Sequence, residues 1–191
     1  MSTPNYTITD KNTNKEYWIS RAIVVVPLVF KEINGEVYTL VEKRGKKVSH
    51  RGKWCCPCGY LDWDETCIQA CIREVKEETG IELNEDNITF IDYNSNPSQL
   101  DRQNVSMRFV CFVNNDVKVD ISKLDTKGEV DDLKWIKIGK IKKNIFNIYR
   151  KIFEFDKHFL YNNQLNWAFN HDKLILEVIS KFYKQKRMLV V

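Results

Sequence analysis

The sequence has no apolar run approaching the ~20 residues that a membrane span needs. Its start, MSTPNYTITDKNTNKEYW, lacks the basic and apolar stretches of a secretory signal. Both absences predict a cytoplasmic protein with no membrane partner. Glycine and proline are scarce, at 7 and 4 of 191 residues. With 43% hydrophobic and 29% charged residues, that scarcity excludes a disordered or fibrous chain. Internal repeats and low-complexity linkers are missing too. Residues 1–191 are therefore expected to form one domain, with about 1–20 an N-terminal extension and about 139–191 a helical C-terminal part. Net charge is only +4, too small and diffuse for a nucleic-acid footprint. The surplus sits in the tail, where 12 Lys/Arg face 4 Asp/Glu from residue 137 onward, leaving 18 against 22 before it.

Histidines are few and scattered: His50, His158 and His171 form no constellation, and His171 reads as a capping or packing residue. Six cysteines in a cytoplasmic chain read as reduced thiols. Cys55 and Cys58 have CxxC spacing and Cys67 and Cys71 follow, so a zinc site is the alternative to buried small thiols.

What is present is strand, helix, strand, helix. The Val-rich run from Ala22 to Phe30 and the run from Val37 to Val41 flank Asn34-Gly35, the strongest short hairpin signal. Pro27 cannot donate a ladder hydrogen bond, so an edge or a bulge is expected there. Residues 64–79 read as a helix with Ile68, Ile72 and Val75 on its packing face, Asp62 or Asp64 as N-cap, and Gly80 at the left-handed C-terminal position. Strand-like runs follow at Ile88–Tyr93, Met107–Val113 and Leu133–Ile138. The polar loop Asn94–Asn104 between the first two is the candidate for substrate selection, with Gln99 and Arg102 as contacts. Ile141, Ile145, Ile148 and Ile152 predict a helix after residue 139, and Asp172–Tyr183 predicts another. An α/β or α+β layered fold results.

On a helical wheel at ~100° per residue, Glu74, Glu77 and Glu78 share an arc of about 100°, on a different side from Ile68, Ile72 and Val75. Cys67, Ala70 and Cys71 lie one turn earlier on the carboxylate side and would let another backbone come close. Each like-charged pair costs a few tenths of a kcal/mol. A hard divalent cation would offset this, because Mg²⁺ and Mn²⁺ prefer carboxylate and carbonyl oxygens, and Mg²⁺ is usually held jointly with substrate phosphates. The plain alternative is a solvated acidic helix face.

The wider spacing decides between them. Gly59, five residues, Glu65, seven residues, Arg73-Glu74-Val75, one residue, Glu77-Glu78, one residue, Gly80-Ile81 resembles the Nudix box of the Nudix hydrolase family, with every fixed position present. Seven single-identity positions would coincide by chance on the order of once in 10⁸ to 10⁹ windows. The strand leading into GKWCCPCGYLD, the stretch GEVDDLKWI and the segment AFNHDKLI resemble flanking parts of the family, although its usual Pro-Gly-Gly reads Pro57-Cys58-Gly59 here.

The resemblance implies a Nudix-like α/β/α sandwich with a mixed β-sheet plus C-terminal helices. It implies Mg²⁺ (or Mn²⁺) held by Glu74, Glu77 and Glu78 with the Gly59 carbonyl, and metal-assisted hydrolysis of a nucleoside diphosphate linked to another moiety. Arg73 and Glu65 would orient the carboxylates by an ion pair, which an ordinary helix salt bridge would equally produce. Glu74 and Glu129 are rival general bases. The basic loop Lys43–Lys53 is either a solvated turn or the source of a phosphate contact through Arg44 or Lys53. Trp63 and Trp167 are candidates for stacking on a base, whereas Trp54 and Trp135 read as core. A small nucleotide such as a nucleotide sugar, ADP-ribose or a dinucleotide is the expected substrate, with RNA 5′-end decapping as the second enzyme reading. A catalytically silent nucleotide-sensing module is the reading from another class, and the intact glutamates argue against it. Dimers are common in the resembled family, so a homodimer is an expectation.

Overall fold

The computed structural model describes residues 4–143, 151–161, 165–186 and 188–190. Among these residues eleven strands and three α-helices follow in the order β1 (Tyr6–Thr9), β2 (Glu16–Ile19), β3 (Ile23–Ile33), β4 (Glu36–Arg44), β5 (Trp54–Cys55), β6 (Gly59–Tyr60), α1 (Cys67–Thr79), β7 (Ile88–Asn94), β8 (Val105–Phe112), β9 (Val130–Lys143), β10 (Lys151–Phe155), α2 (Lys157–Tyr161), α3 (His171–Gln185) and β11 (Leu189–Val190). β1 and β2 form a separate hairpin, and the other nine strands share one mixed sheet of order β11-β10-β9-β4-β3-β8-β7. β3 runs parallel to β8 and antiparallel to β4. No helix among the described residues is long and apolar enough to cross a membrane.

The Asn34-Gly35 turn between β3 and β4 has positive φ at both residues, 51° and 81°, the geometry that a tight hairpin with right-twisted strands requires. Alternation along β3 then sends Val25 and Val29 to one face and Val26, Leu28 and Phe30 to the other. α1 covers the first face through Ala70, Cys71 and Val75, and α3 covers the second through Leu174, Ile175, Val178, Ile179 and Phe182. The sheet therefore lies between two helical layers. Arg108 of β8, paired with Glu177 at 3.2 Å and Asp92 at 3.5 Å, joins α3 to the β7–β8 edge.

β3 and β4 stay paired only near their turn, with Phe30–Ile33 opposite Thr39–Glu36. Beyond it they separate. Val24 and Val25 of β3 pair with β6, while Glu42 and Lys43 of β4 pair with β5. Pro27 falls in the interval between these two pairings, where β3 has its ladder partner on the β8 side. This corrects the expectation of an edge or a bulge: β3 is central, and proline is tolerated because one side of it is locally unpaired.

The helix predicted after residue 139 is also corrected. Ile141 lies in β9 and Ile152 in β10, which pair antiparallel with Ile152 opposite Lys142. Ile145 and Ile148 lie outside the described residues. The isoleucine spacing mimics a helix, but β4 offers β9 a long ladder from Glu36 to Arg44, and tertiary pairing prevails over local periodicity. Among the described residues the C-terminal part is helical only in α2 and α3.

Candidate active site

The split between β3 and β4 is filled by the short β5–β6 segment, and α1 packs across it. α1 begins in a capping box: the Thr66 hydroxyl accepts from the Gln69 N–H at 3.2 Å, and Gln69 Oε1 accepts from the Thr66 N–H at 2.8 Å. Thr66 thus replaces Asp62 or Asp64 as the N-cap. Gly80 closes the helix at φ 73°, as the sequence predicts.

The buried face of α1 differs from the predicted one. Ala70, Cys71, Glu74, Val75, Glu78 and Thr79 are buried, while Ile68 and Ile72 are only partly covered. The small residues lie on the carboxylate side and let the helix approach the sheet there, so Glu74 and Glu78 are carried inward. Glu77 stays outside, with its side chain 62% exposed.

Each inward carboxylate meets the β5–β6 segment. The Glu74 carboxylate lies directly against Gly59, where any Cβ would collide with it. Glu78 Oε2 accepts the Cys58 backbone N–H at 3.0 Å. Arg73 organises the rim: its Nε donates to Glu65 Oε2 at 3.0 Å, Nη2 donates to Glu65 Oε1 at 2.6 Å and to the Tyr60 carbonyl at 3.0 Å, and Nη1 donates to Glu74 Oε1 at 2.6 Å. Glu77 Oε2 and Asp62 Oδ2 are more distant, at 3.5 and 3.7 Å. Glu65 is held below the usual carboxylate range, first by the Arg73 hydrogen bonds. Burial raises Glu74 despite Arg73.

Glu42 is the residue that the sequence reading missed. It is 1% exposed, faces α1 in register with Leu40, and is pushed up to about 8, first by burial and then by Cys58. Glu78 is raised by burial, then by Glu42 and Glu74. The available signal was period two in β4: an acidic residue two positions after a core-facing Leu40 shares its face.

Several other predicted site residues fall elsewhere. Arg44 is buried rather than part of an exposed loop: Nε donates to the Ser49 carbonyl at 2.7 Å, Nη1 donates to Cys55 Sγ at 3.6 Å, and the guanidinium stacks on Phe169. Lys53 is half-buried beside β5. Trp63 is 89% exposed in the loop before α1. Trp167 packs against the α3-side core and meets Phe159 edge-on, so it is a core residue. Trp54 packs into that core too, and Trp135 into the α1-side core. Arg102 is exposed with φ 51° in a short turn, and that loop reaches the site through Asn104, whose Nδ2 donates to Tyr60 Oη at 3.3 Å. Gln99 Oε1 accepts from Asn94 within the same loop. Glu129 is exposed beside Gly45, whose N–H donates to the Glu129 carbonyl at 2.6 Å, and its carboxylate does not join the other glutamates among the described residues. His171 is buried, and its Nδ1 accepts the Cys56 N–H at 3.0 Å.

Among the described residues no group of three or more His, Cys, Asp or Glu side chains is placed to hold a metal ion. All six cysteines are free. A cation that keeps several waters and shares substrate phosphates needs only one or two carboxylates. The cradle over Gly59 and the buried, unpartnered Glu42 Oε2 fit such a group.

The family model described as NUDIX domain matches residues 20–155. The chain belongs to that family. Two solved structures share the fold: a MutT/nudix family protein from Enterococcus faecalis (TM-score 0.66, 18% identity, 88% of this chain and 64% of that one) and the NUDIX domain of Shewanella oneidensis NrtR complexed with ADP ribose (TM-score 0.62, 19% identity, 91% and 93%). An mRNA-decapping enzyme subunit 2 from Saccharomyces cerevisiae is 31% identical over 94 residues, which are 49% of this chain. The match spans only 9% of that relative's length.

Proposed function

We propose that this Nudix protein hydrolyses the diphosphate bridge of a small nucleoside diphosphate derivative, such as a nucleotide sugar, ADP-ribose or a dinucleotide, with Mg²⁺ (or Mn²⁺) as cofactor. The observation that carries the reading is the clamp of Glu74 between Gly59 and Arg73. Glu74 and Glu78, with Glu77 from the outer face and the Gly59 carbonyl, would hold the cation. When bound, it would neutralise diphosphate oxygens and stabilise charge as the P–O bond breaks.

The chain's own residues do the rest. Arg73, fixed by two hydrogen bonds to Glu65, holds Glu74 in one rotamer. Glu74, placed against Gly59 and held by Arg73, accepts the proton of the attacking water. The exposed Trp63 ring offers a stacking surface for a base, and Arg102 sits on the loop tied to Tyr60. Lys53 remains a candidate for the distal phosphate.

The likeness to a decapping enzyme subunit supports RNA 5′-end hydrolysis as a second reading. Part of the tail's charge is spent within the fold, which favours the small substrate: Lys137 pairs with Glu36, Lys140 and Lys142 with Glu154, and Lys181 with Asp92 and Glu177. Those lysines are not free to follow a polyanion. The six free cysteines suit a cytoplasmic setting, and the family match starting at residue 20 supports reading the β1–β2 hairpin as an extension of one Nudix domain.

The test is to incubate the full chain with Mg²⁺ and a panel of ADP-ribose, nucleotide sugars, dinucleotide polyphosphates and capped RNA, then identify products by mass. A nucleoside monophosphate together with the other half of a small substrate is expected. Turnover of capped RNA alone would install the second reading, and no turnover of any substrate would remove both.

A further inference from the structure

Within the β3–β4 split, the sheet supplies a carboxylate that the helix does not account for. Glu42 lies in β4 opposite Cys55 of β5, on the face covered by α1. Its Oε1 accepts the Cys55 thiol at 3.3 Å, a weak donor. Its Oε2 is fully buried and meets no donor group among the described residues, so that its neighbour on the α1 side is a second carboxyl, Glu78. The nearest cation, Arg44, reaches Oε1 only at 4.0 Å and spends its donors on the Ser49 carbonyl and Cys55. Glu42 lies within hydrogen-bond reach of Glu78. Glu78 has its other attachment on the Cys58 N–H, one residue before the Gly59 that supports Glu74.

A buried carboxylate oxygen without a partner costs about 1–3 kcal/mol or more, and two carboxylates facing each other add repulsion. A purely structural polar residue at this point would be satisfied better by a Gln or a Thr. What the arrangement lacks is positive charge, placed between the sheet and α1, on the same side as Glu74.

We infer that Glu42 contributes a carboxylate oxygen to the cation site from the sheet side, facing Glu78 across the β3–β4 split, so that the site draws on β4 as well as on α1. The inference rests on the proposed cation-dependent function and adds a ligand outside the Nudix box. A hard cation suits it, since the available ligand atom is an oxygen and the Cys55 sulfur beside it belongs to a thiol that burial keeps protonated.

The test measures Mn²⁺ binding to the full chain, without substrate, by titration calorimetry and by the EPR signal of free Mn²⁺. Wild type, Glu42→Gln, Glu42→Asp and Glu78→Gln are compared, with circular dichroism as the check on folding. Glu42→Gln keeps the volume and removes the charge, and both it and Glu78→Gln are expected to weaken Mn²⁺ binding at least about tenfold. Glu42→Asp keeps the charge and shortens the reach, and is expected to weaken binding several-fold, so it serves if the Gln variant misfolds. Wild-type affinity in folded Glu42→Gln or Glu42→Asp, alongside loss in Glu78→Gln, overturns this inference and leaves the cation site standing. Absence of Mn²⁺ binding in the wild type overturns both.

Discussion

Arg73 and Glu65 meet through two parallel hydrogen bonds, Nε to Oε2 at 3.0 Å and Nη2 to Oε1 at 2.6 Å, which join α1 to the loop before it. The remaining donor, Nη1, goes to Glu74. A planar fork that grips one carboxylate leaves little freedom in where it presents its last nitrogen. Arg73→Lys keeps the charge but loses the fork. It is expected to lower kcat about 10- to 100-fold while the protein stays folded. Steady-state kinetics with circular dichroism checks this, and an Arg73→Lys enzyme with wild-type kcat would reduce the pair to a surface salt bridge.

Gly59→Ala isolates the backbone cradle. The added Cβ would overlap the Glu74 carboxylate, so Glu74 must leave its position. The φ of Gly59 is not in the left-handed region, so the methyl group adds no backbone strain of that kind. Activity is expected to fall at least about tenfold, since displacement of a reacting group by an ångström costs that much or more. The melting temperature should change little by comparison. A large fall in melting temperature with activity per folded molecule intact would count against the cradle.

The helix of the box was legible because its chemistry is carried by residue type and spacing, and the Asn34-Gly35 hairpin because positive φ at two successive residues admits few sequences. The orientation of α1 was not. An apolar stripe of Ile68, Ile72 and Val75 is a sound guide where the core is only apolar, but here the helix buries part of its polar face against a split in the sheet. Glu42 escaped for a related reason: its partners are 13 to 36 residues away, and only the separation of β3 from β4 brings them together. The sequence predicts a strand over Leu133–Ile138, shorter than the observed Val130–Lys143, since nothing local announces the ladder that β4 and β10 provide.

The rival general bases lie in different surroundings. Glu74 lies against Gly59 and Arg73, whereas Glu129 is exposed near Gly45. Glu74→Gln is expected to lower kcat by about 10²- to 10⁴-fold, the usual worth of a general base, and Glu129→Gln by less than about threefold. Single-turnover rates at saturating Mg²⁺ measure both. A larger loss in Glu129→Gln would mean that the 126–129 turn moves onto the substrate.

His171 gives the fold a pH dependence of its own. Burial, then the charges of Arg44 on β4 and Arg108 on β8, push its imidazole down to about 3 from an ordinary 6.5. Its Nδ1 accepts the Cys56 N–H, and the Phe169 ring lies 5.4 Å away, so the neutral form is the one the fold holds. Because protonation favours the unfolded chain, this contribution is complete above pH 6.5 and is lost as pH falls toward 3. Between pH 7.5 and pH 5 it removes about 2 kcal/mol of stability. His171→Asn keeps an acceptor for Cys56 and cannot take the proton. Urea unfolding of both proteins at the two pH values should therefore show the wild type losing about 2 kcal/mol more than the variant. Equal losses would mean that the imidazole is reached by water and titrates normally in the folded state.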